Sequence, residues 1–476
     1  MTKSAYSATG LLAAGATFLA MLDTTVVNLA VPRIAARFPA SNAAETLSGV
    51  SWVITLYAIV FAALLVPAGR FADVVGRRAL LVFGVATFTA MSVLCALAPT
   101  LPVLLAARGL QAVGAAAMVP ASLAVVLTDT PPAQRVKVVG LWSAAGALAA
   151  AIGPGLGGLL MNAAGWRSLF AINVPVGIAL IFGALRLTAR QSGAPRARVP
   201  DLLGTALLAA GIGLAVWGTG EGRAWGWDSE RTLTSLCAGS ALVAFVLVRS
   251  TRQEVPAVAT HLWRDRTFLR ANLAAFAFGA ALFTWMLVGV LVLMQQWRYS
   301  ALAAGLALSP GALVASATAI IGSRVGKRLS PRTYAFAGSL AFGAVGFFCR
   351  FTLPGSSSFL DYWLPLSFVI GVAIGMLSWS VSAVAVMSAG PVEFAGAIGM
   401  NTACRQVGGA LGVAAMTVLV ADRPGVDGFR LCYLACGLCS LAAALALAPS
   451  PRRGAPTERT SPASRHEAPL KERVGR

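Results

Sequence analysis

The sequence predicts an all-α integral membrane protein with 14 transmembrane helices, and three observations carry that prediction. The chain of 476 residues is 58% hydrophobic and only 11% charged, whereas a soluble domain carries about 25% charged residues. Apolar runs of the ~20 residues needed to cross a ~30 Å hydrocarbon layer recur from end to end. The basic residues fall in short clusters between those runs and favour alternate connections. An ordinary soluble enzyme is excluded. The formal charge of +20 accompanies no interleaved aromatic and basic module, so no nucleic-acid partner is expected; the partner is the lipid bilayer.

The elements follow in order. The first run, 8–31, has Lys3 before it and Asp23 inside it; more spans follow at once, so it reads as an uncleaved helix and not a signal peptide. Runs two and three, 48–68 and 79–98, flank the stretch Gly69 to Arg78, which contains Asp73, Gly76 and Arg77. Run four, 101–128, contains Arg108 and Gln111, and run five, 136–160, contains Gly153, Pro154, Gly157 and Gly158. Run six covers 166–187, and runs seven and eight cover 201–220 and 233–249. Runs nine to twelve cover 269–293, 302–322, 333–353 and 361–386. Run thirteen, 394–420, holds Asn401 and Arg405, and run fourteen covers 429–448. The tail beyond is rich in Pro, Arg, Glu and Ser and is expected to be disordered.

Charge sets the topology. With the N-terminus inside, 26 of the 37 Lys and Arg lie on the inner side, nine on the outer side, and Arg108 and Arg405 within spans. This excess places both termini in the cytoplasm of a multi-pass plasma-membrane protein. The stretch 322–328 repeats the basic character of 69–78 without its Asp, and removing runs seven and eight leaves two sets of six. Repeat-built transporters have that organisation. The expected domains are an N-terminal six-helix bundle, 1–187; a central loop and inserted two-helix hairpin, 188–249; a C-terminal six-helix bundle, 250–448; and a cytoplasmic tail, 449–476.

Four groups of residues are singled out. Asp23 is the carboxylate placed deep in a span, where a charge costs about 2.5–3.5 kcal/mol, so a function is the default reading. It is the candidate proton-coupling site, the alternative being a hydrogen bond that fixes the first helix. Arg108 cannot lose its proton and needs water or a partner; it either modulates the proton site or positions helices. Asp73, Arg77 and Arg78, with Gly69 and Gly76 permitting a tight loop, form a candidate conformational latch whose ions bridge helix ends in one state only. Positive-inside anchoring would explain its arginines but not its carboxylate. The glycines at 153–158 thin a helix and Pro154 removes a backbone donor, which suits close helix approach. Arg405 either faces a polar cavity or bonds backbone carbonyls.

The seven cysteines lie in or beside apolar runs, and Cys432, Cys436 and Cys439 share one face, too few ligands for a closed metal site; they read as packing residues. His261 and His466 are far apart in polar segments. No metal is expected.

In their order along the chain, these motifs resemble the major facilitator superfamily, and within it the fourteen-helix drug:proton antiporters. Leu22 to Pro32, with Asp23 and Asn28, is similar to that family's first-helix pattern. Gly69, Ala72, Asp73, Gly76, Arg77 and Arg78 match the loop signature, with Val74 where a basic residue is common. Arg108, Gly109, Gln111 and Gly114 resemble the fourth-helix motif, although Ala112 replaces a glycine. Gly153, Pro154, Gly157 and Gly158 resemble the fifth-helix antiporter motif, with Ala149 where a glycine often begins it. Trp166, Arg167, Phe170, Asn173 and Pro175 fit the sixth helix, and Asn401, Arg405, Gln406, Gly408 and Gly409 the thirteenth. The resemblance implies export of small amphipathic compounds in exchange for protons.

No Walker A, GxSxG, HExxH or strand-borne GxGxxG motif occurs, so no enzyme activity is expected and energy should come from an ion gradient without a cofactor. The expected protein is a monomeric secondary exporter that works by alternating access on drugs or antibiotics, either neutral or singly charged. Asn28, Gln111, Asn401 and Arg405 are the candidate polar residues of its cavity. Two alternatives remain: an importer or symporter of a small solute on the same fold, and a nontransporting membrane sensor or scaffold.

Overall fold

The computed structural model describes residues 3–39, 43–187, 201–325, 330–423 and 425–448. Fourteen spans are long and apolar enough to cross a membrane, the sixth of them running on from the short helix Ser168–Ala171, and no strand occurs among the described residues. They are α1 (Lys3–Val26), α2 (Ala43–Val75), α3 (Arg77–Leu97), α4 (Leu101–Asp129), α5 (Pro132–Ala164), α6 (Asn173–Leu187), α7 (Leu202–Trp225), α8 (Glu230–Ser250), α9 (Arg266–Leu291), α10 (Ala301–Val325), α11 (Pro331–Thr352), α12 (Leu364–Met387), α13 (Phe394–Asp422) and α14 (Val426–Leu447). Backbone groups in a bilayer must be satisfied within the segment, which is why the apolar runs become helices. Large side chains such as Leu97, Phe351 and Leu445 stand exposed on the outer surface, as lipid contact requires.

The packing repeats. In the first set of six, α1 packs on α4, α5 and α6, α2 on α4, and α3 on α4 and α6. The second set has the same pairs with every helix number raised by eight. Two seams join the sets, α2 with α13 and α5 with α10, and these too exchange under the same relation. A pseudo-two-fold relation between six-helix bundles accounts for all of these pairs.

The inserted hairpin breaks the symmetry. α7 and α8 pack on each other, and α7 lies against both α2 and α13, so the insertion covers one seam only. From α8 the chain returns as a strap whose Ala257, Val258, Ala259 and Leu262 are buried. Arg70 Nε donates to the Pro256 carbonyl at 3.2 Å, and His261 Nε2 lies 2.9 Å from Glu393 Oε2. The expected central loop up to residue 200, Lys327, Arg328 and the tail with His466 fall outside the described residues.

Candidate functional site

Asp23 lies one turn before the end of α1, away from the end of the bundle that carries Asp73. It is fully buried, and so are Arg108, Gln111, Ser92 and Asn173, contributed by α4, α3 and α6. Arg108 Nη1 donates to Asp23 Oδ2 at 2.6 Å. The other carboxylate oxygen accepts from Asn173 Nδ2 at 2.9 Å and Gln111 Nε2 at 3.2 Å. Gln111 also accepts from Arg108 at 2.7 Å and donates to Ser92 Oγ at 2.7 Å. Arg108 Nε reaches the Val53 carbonyl of α2 at 3.0 Å, and its guanidinium carbon lies 4.2 Å from the Tyr57 ring centroid.

This arrangement follows from solvation. A buried guanidinium and carboxylate are tolerable only when they pair and their remaining donors and acceptors are satisfied. Asp23 uses both oxygens, and Arg108 spreads its donors over a carboxylate, an amide and a carbonyl. The structure thus gives Arg108 a partner and not an aqueous cavity. Gln111, buried beside the pair, completes the network. Tyr57 and Ser92 could not be singled out in the sequence, because one Tyr or Ser in an apolar run is unremarkable. Asn173 was visible only through the sixth-helix pattern.

The second cluster lies at the opposite end of α2. The stretch expected to be a loop is helical through Val75, and only Gly76 breaks it, at φ 123°, before α3 begins. That backbone conformation explains Gly76. Gly69 has another reason: a Cβ there would collide with the backbone of Ala395 and Gly396. Asp73 is buried and pairs with Arg77 at 2.7 Å. It also accepts from the backbone N–H groups of Gly396 at 2.7 Å and Ala395 at 3.2 Å, at the N-terminus of α13. A carboxylate is favoured there by unpaired N–H groups and the helix dipole. Arg77 continues to Thr128 of α4 and the Pro391 carbonyl. The two bundles are therefore locked together at this end. Arg78 takes no part in that contact; it donates to the Leu185 carbonyl at 2.6 Å within its own bundle.

The remaining residues separate. Gly153 meets Thr25 of α1 so closely that a Cβ would overlap it, and Gly157 is buried. Gly158 has open space around its Cβ position, so close approach is a property of Gly153 and not of the whole cluster. The α5 backbone stays helical through Pro154. Asn28 sits in the short 3-10 helix Val27–Ala30 after α1. Asn401 is buried and has partners within the bundle: it accepts from Ser382 at 3.2 Å and donates to Asn272 at 3.4 Å. Arg405 is half-buried near the middle of α13 and bonds no backbone carbonyl among the described residues. No group of three or more metal-ligating side chains occurs among the described residues.

The Major Facilitator Superfamily profile matches residues 13–412 and, in a second overlapping match, 273–475. A methylenomycin A resistance protein of Streptomyces coelicolor is 32% identical over 452 residues, covering 93% of this chain and 92% of that one. A puromycin resistance protein of Streptomyces alboniger is 34% identical over 413 residues, 85% of this chain and 80% of the other. A cephamycin export protein of Amycolatopsis lactamdurans is 31% identical, covering 88% and 86%. Among solved structures, a human organic anion transporter superposes with a TM-score of 0.67 at 17% identity, covering 94% of this chain and 100% of that one. A proton:xylose symporter gives 0.65 at 15% identity, covering 94% and 95%. These last two establish shared architecture alone.

Proposed function

The chain belongs to the major facilitator superfamily, with drug-resistance transporters among its relatives, and from that premise we propose that it exports small amphipathic drugs or antibiotics in exchange for protons. The observation that carries the reading is the buried Asp23–Arg108 pair joining α1 to α4. The roles of the relatives, resistance and export, favour outward transport over import.

The geometry supports a coupled cycle. Protonating Asp23 would cancel the charge that holds Arg108 on α1. The guanidinium would keep its contacts to Val53 and Tyr57 of α2. At its far end the same helix carries Asp73, which is bound to α13 of the other bundle. About twenty residues separate Val53 from Asp73, a continuous helix of roughly 30 Å at 1.5 Å per residue with Pro67 inside it. In the proposed cycle, proton occupancy at one end of α2 biases the latch at the other. The state described here has the charged pair closed and the latch engaged, and it excludes water from both. Each bundle then moves as a body about the two seams, as alternating access requires.

The proposed orientation has the latch and both termini in the cytoplasm, from the charge bias of the connections. The test is a susceptibility panel in a pump-deficient host. Exported compounds are then followed in vesicles under an imposed pH gradient, where collapsing the gradient should abolish accumulation. Accumulation that persists without a gradient would refute proton coupling.

A further inference from the structure

The buried charges of the first bundle balance, because Asp23 is paired with Arg108. The second bundle has no such balance. Arg405 and its neighbour Gln406 lie near the middle of α13, both half-buried, and neither side chain has a hydrogen-bonding or ionic partner among the described residues. Arg405 is turned away from the exposed positions of α13: at ~100° per residue it lies about 120° around the helix from Leu411 and about 80° from Ala415. It stands one turn from Asn401, whose amide meets Asn272 of α9 and Ser382 of α12 inside the bundle. Interior amides one turn away find partners; the guanidinium does not.

A guanidinium keeps its charge at any working pH and offers a planar fork of donors suited to a carboxylate. We propose that Arg405 is the anion-binding part of the cargo site, and that the transported compound carries a single negative charge, a carboxylate in the simplest case. This rests on the exporter reading and narrows it: of the neutral or singly charged compounds expected from the sequence, anionic ones are selected. Asp23 is unavailable to a cationic cargo while Arg108 occupies it. In a one-for-one exchange, a proton moving in and an anion moving out would both be favoured by a membrane potential negative inside.

The experiment uses the purified full chain in detergent and measures thermal stabilisation. The probes are aromatic and alicyclic carboxylic acids, each with the amide and the primary amine of the same skeleton. Acids should raise the melting temperature of the wild type, and the matched amides and amines should not. Arg405→Gln should need at least tenfold more acid for the same shift, while Arg405→Lys keeps part of the response. Without ligand, Arg405→Gln should melt no lower than wild type, since it removes an unpaired, half-buried cation. Equal stabilisation by amides or amines, no stabilisation by any acid, or an unchanged response in Arg405→Gln would each overturn the inference. A sharp loss of thermal stability in ligand-free Arg405→Gln would do so too, by making the residue structural. The two readings fail separately: acids that bind through Arg405 but are not driven out by a pH gradient would refute the exporter, whereas pH-driven export unchanged by Arg405→Gln would refute the anion site.

Discussion

Arg108 Nη1 lies 2.6 Å from Asp23 Oδ2, and both side chains are sealed from solvent. The pair joins two helices 85 residues apart in sequence and is the sole ion pair of this buried network among the described residues. Its consequence is that neither residue can be altered without exposing the other to an apolar surrounding.

Asp23→Asn should therefore abolish uphill, proton-driven export while leaving binding or downhill exchange measurable. It should also lower stability, because an unpaired buried charge costs about 3–5 kcal/mol. Adding Arg108→Gln should restore abundance and melting temperature but not coupling. Efflux in vesicles at matched abundance reads the first effect and thermal unfolding the second. Continued concentration of cargo by Asp23→Asn, with unaltered pH dependence, would make Asp23 structural.

Asp73→Asn should slow transport several-fold with membrane abundance largely intact. The amide oxygen can still accept from Gly396, but the charge facing Arg77 and the α13 N-terminus is lost. Asp73→Ala removes both contributions and should be slower still. Transport rates equal to wild type would reduce this cluster to a topology signal.

The glycine motif divides. Gly153→Ala should impair folding or transport because its Cβ would overlap Thr25, and Gly158→Ala should be nearly silent because nothing lies within 4 Å. Gly69→Ala should disturb the α2–α13 contact, since the colliding atoms are backbone and cannot swing aside. Abundance and transport of the three variants, measured together, check this ordering.

Asp201 caps α7, accepting from Gly204 at 2.9 Å, and pairs with Arg249 of α8 at 2.7 Å. The Arg249 hydrogen bond, more than the Gly204 N–H, holds its carboxyl below the usual carboxylate range. A lowered pKa gives stability that is present above the unfolded value of about 3.9 and is lost as pH falls through the folded value. Asn is as good a cap, so Asp201→Asn isolates the ion pair. The variant should melt slightly below wild type at neutral pH, and the two should converge below about pH 4. A gap that persists in acid would place the effect elsewhere.

A cysteine placed in the C-terminal tail of a variant lacking the seven native cysteines should react with an impermeant thiol reagent only after the membrane is permeabilised. Labelling of intact cells would invert the proposed topology.

The sequence by itself determined the fourteen spans, because hydrocarbon demands long apolar helices and a window of twenty residues reveals them locally. It also exposed Asp23, Arg108, Asp73 and Arg405, since a charge inside or beside an apolar run stands out against its own neighbours. Partnership was decided only by tertiary structure. That Asp23 meets Arg108, that Asp73 closes onto the Ala395 and Gly396 amides, and that Gly69 is a contact residue and not a turn all depend on chain segments 85 to 327 residues apart. Local patterning reports what a side chain costs to bury. Which group offsets that cost depends on which helix is packed beside it, and for Arg405 no described side chain or carbonyl of the chain offsets it.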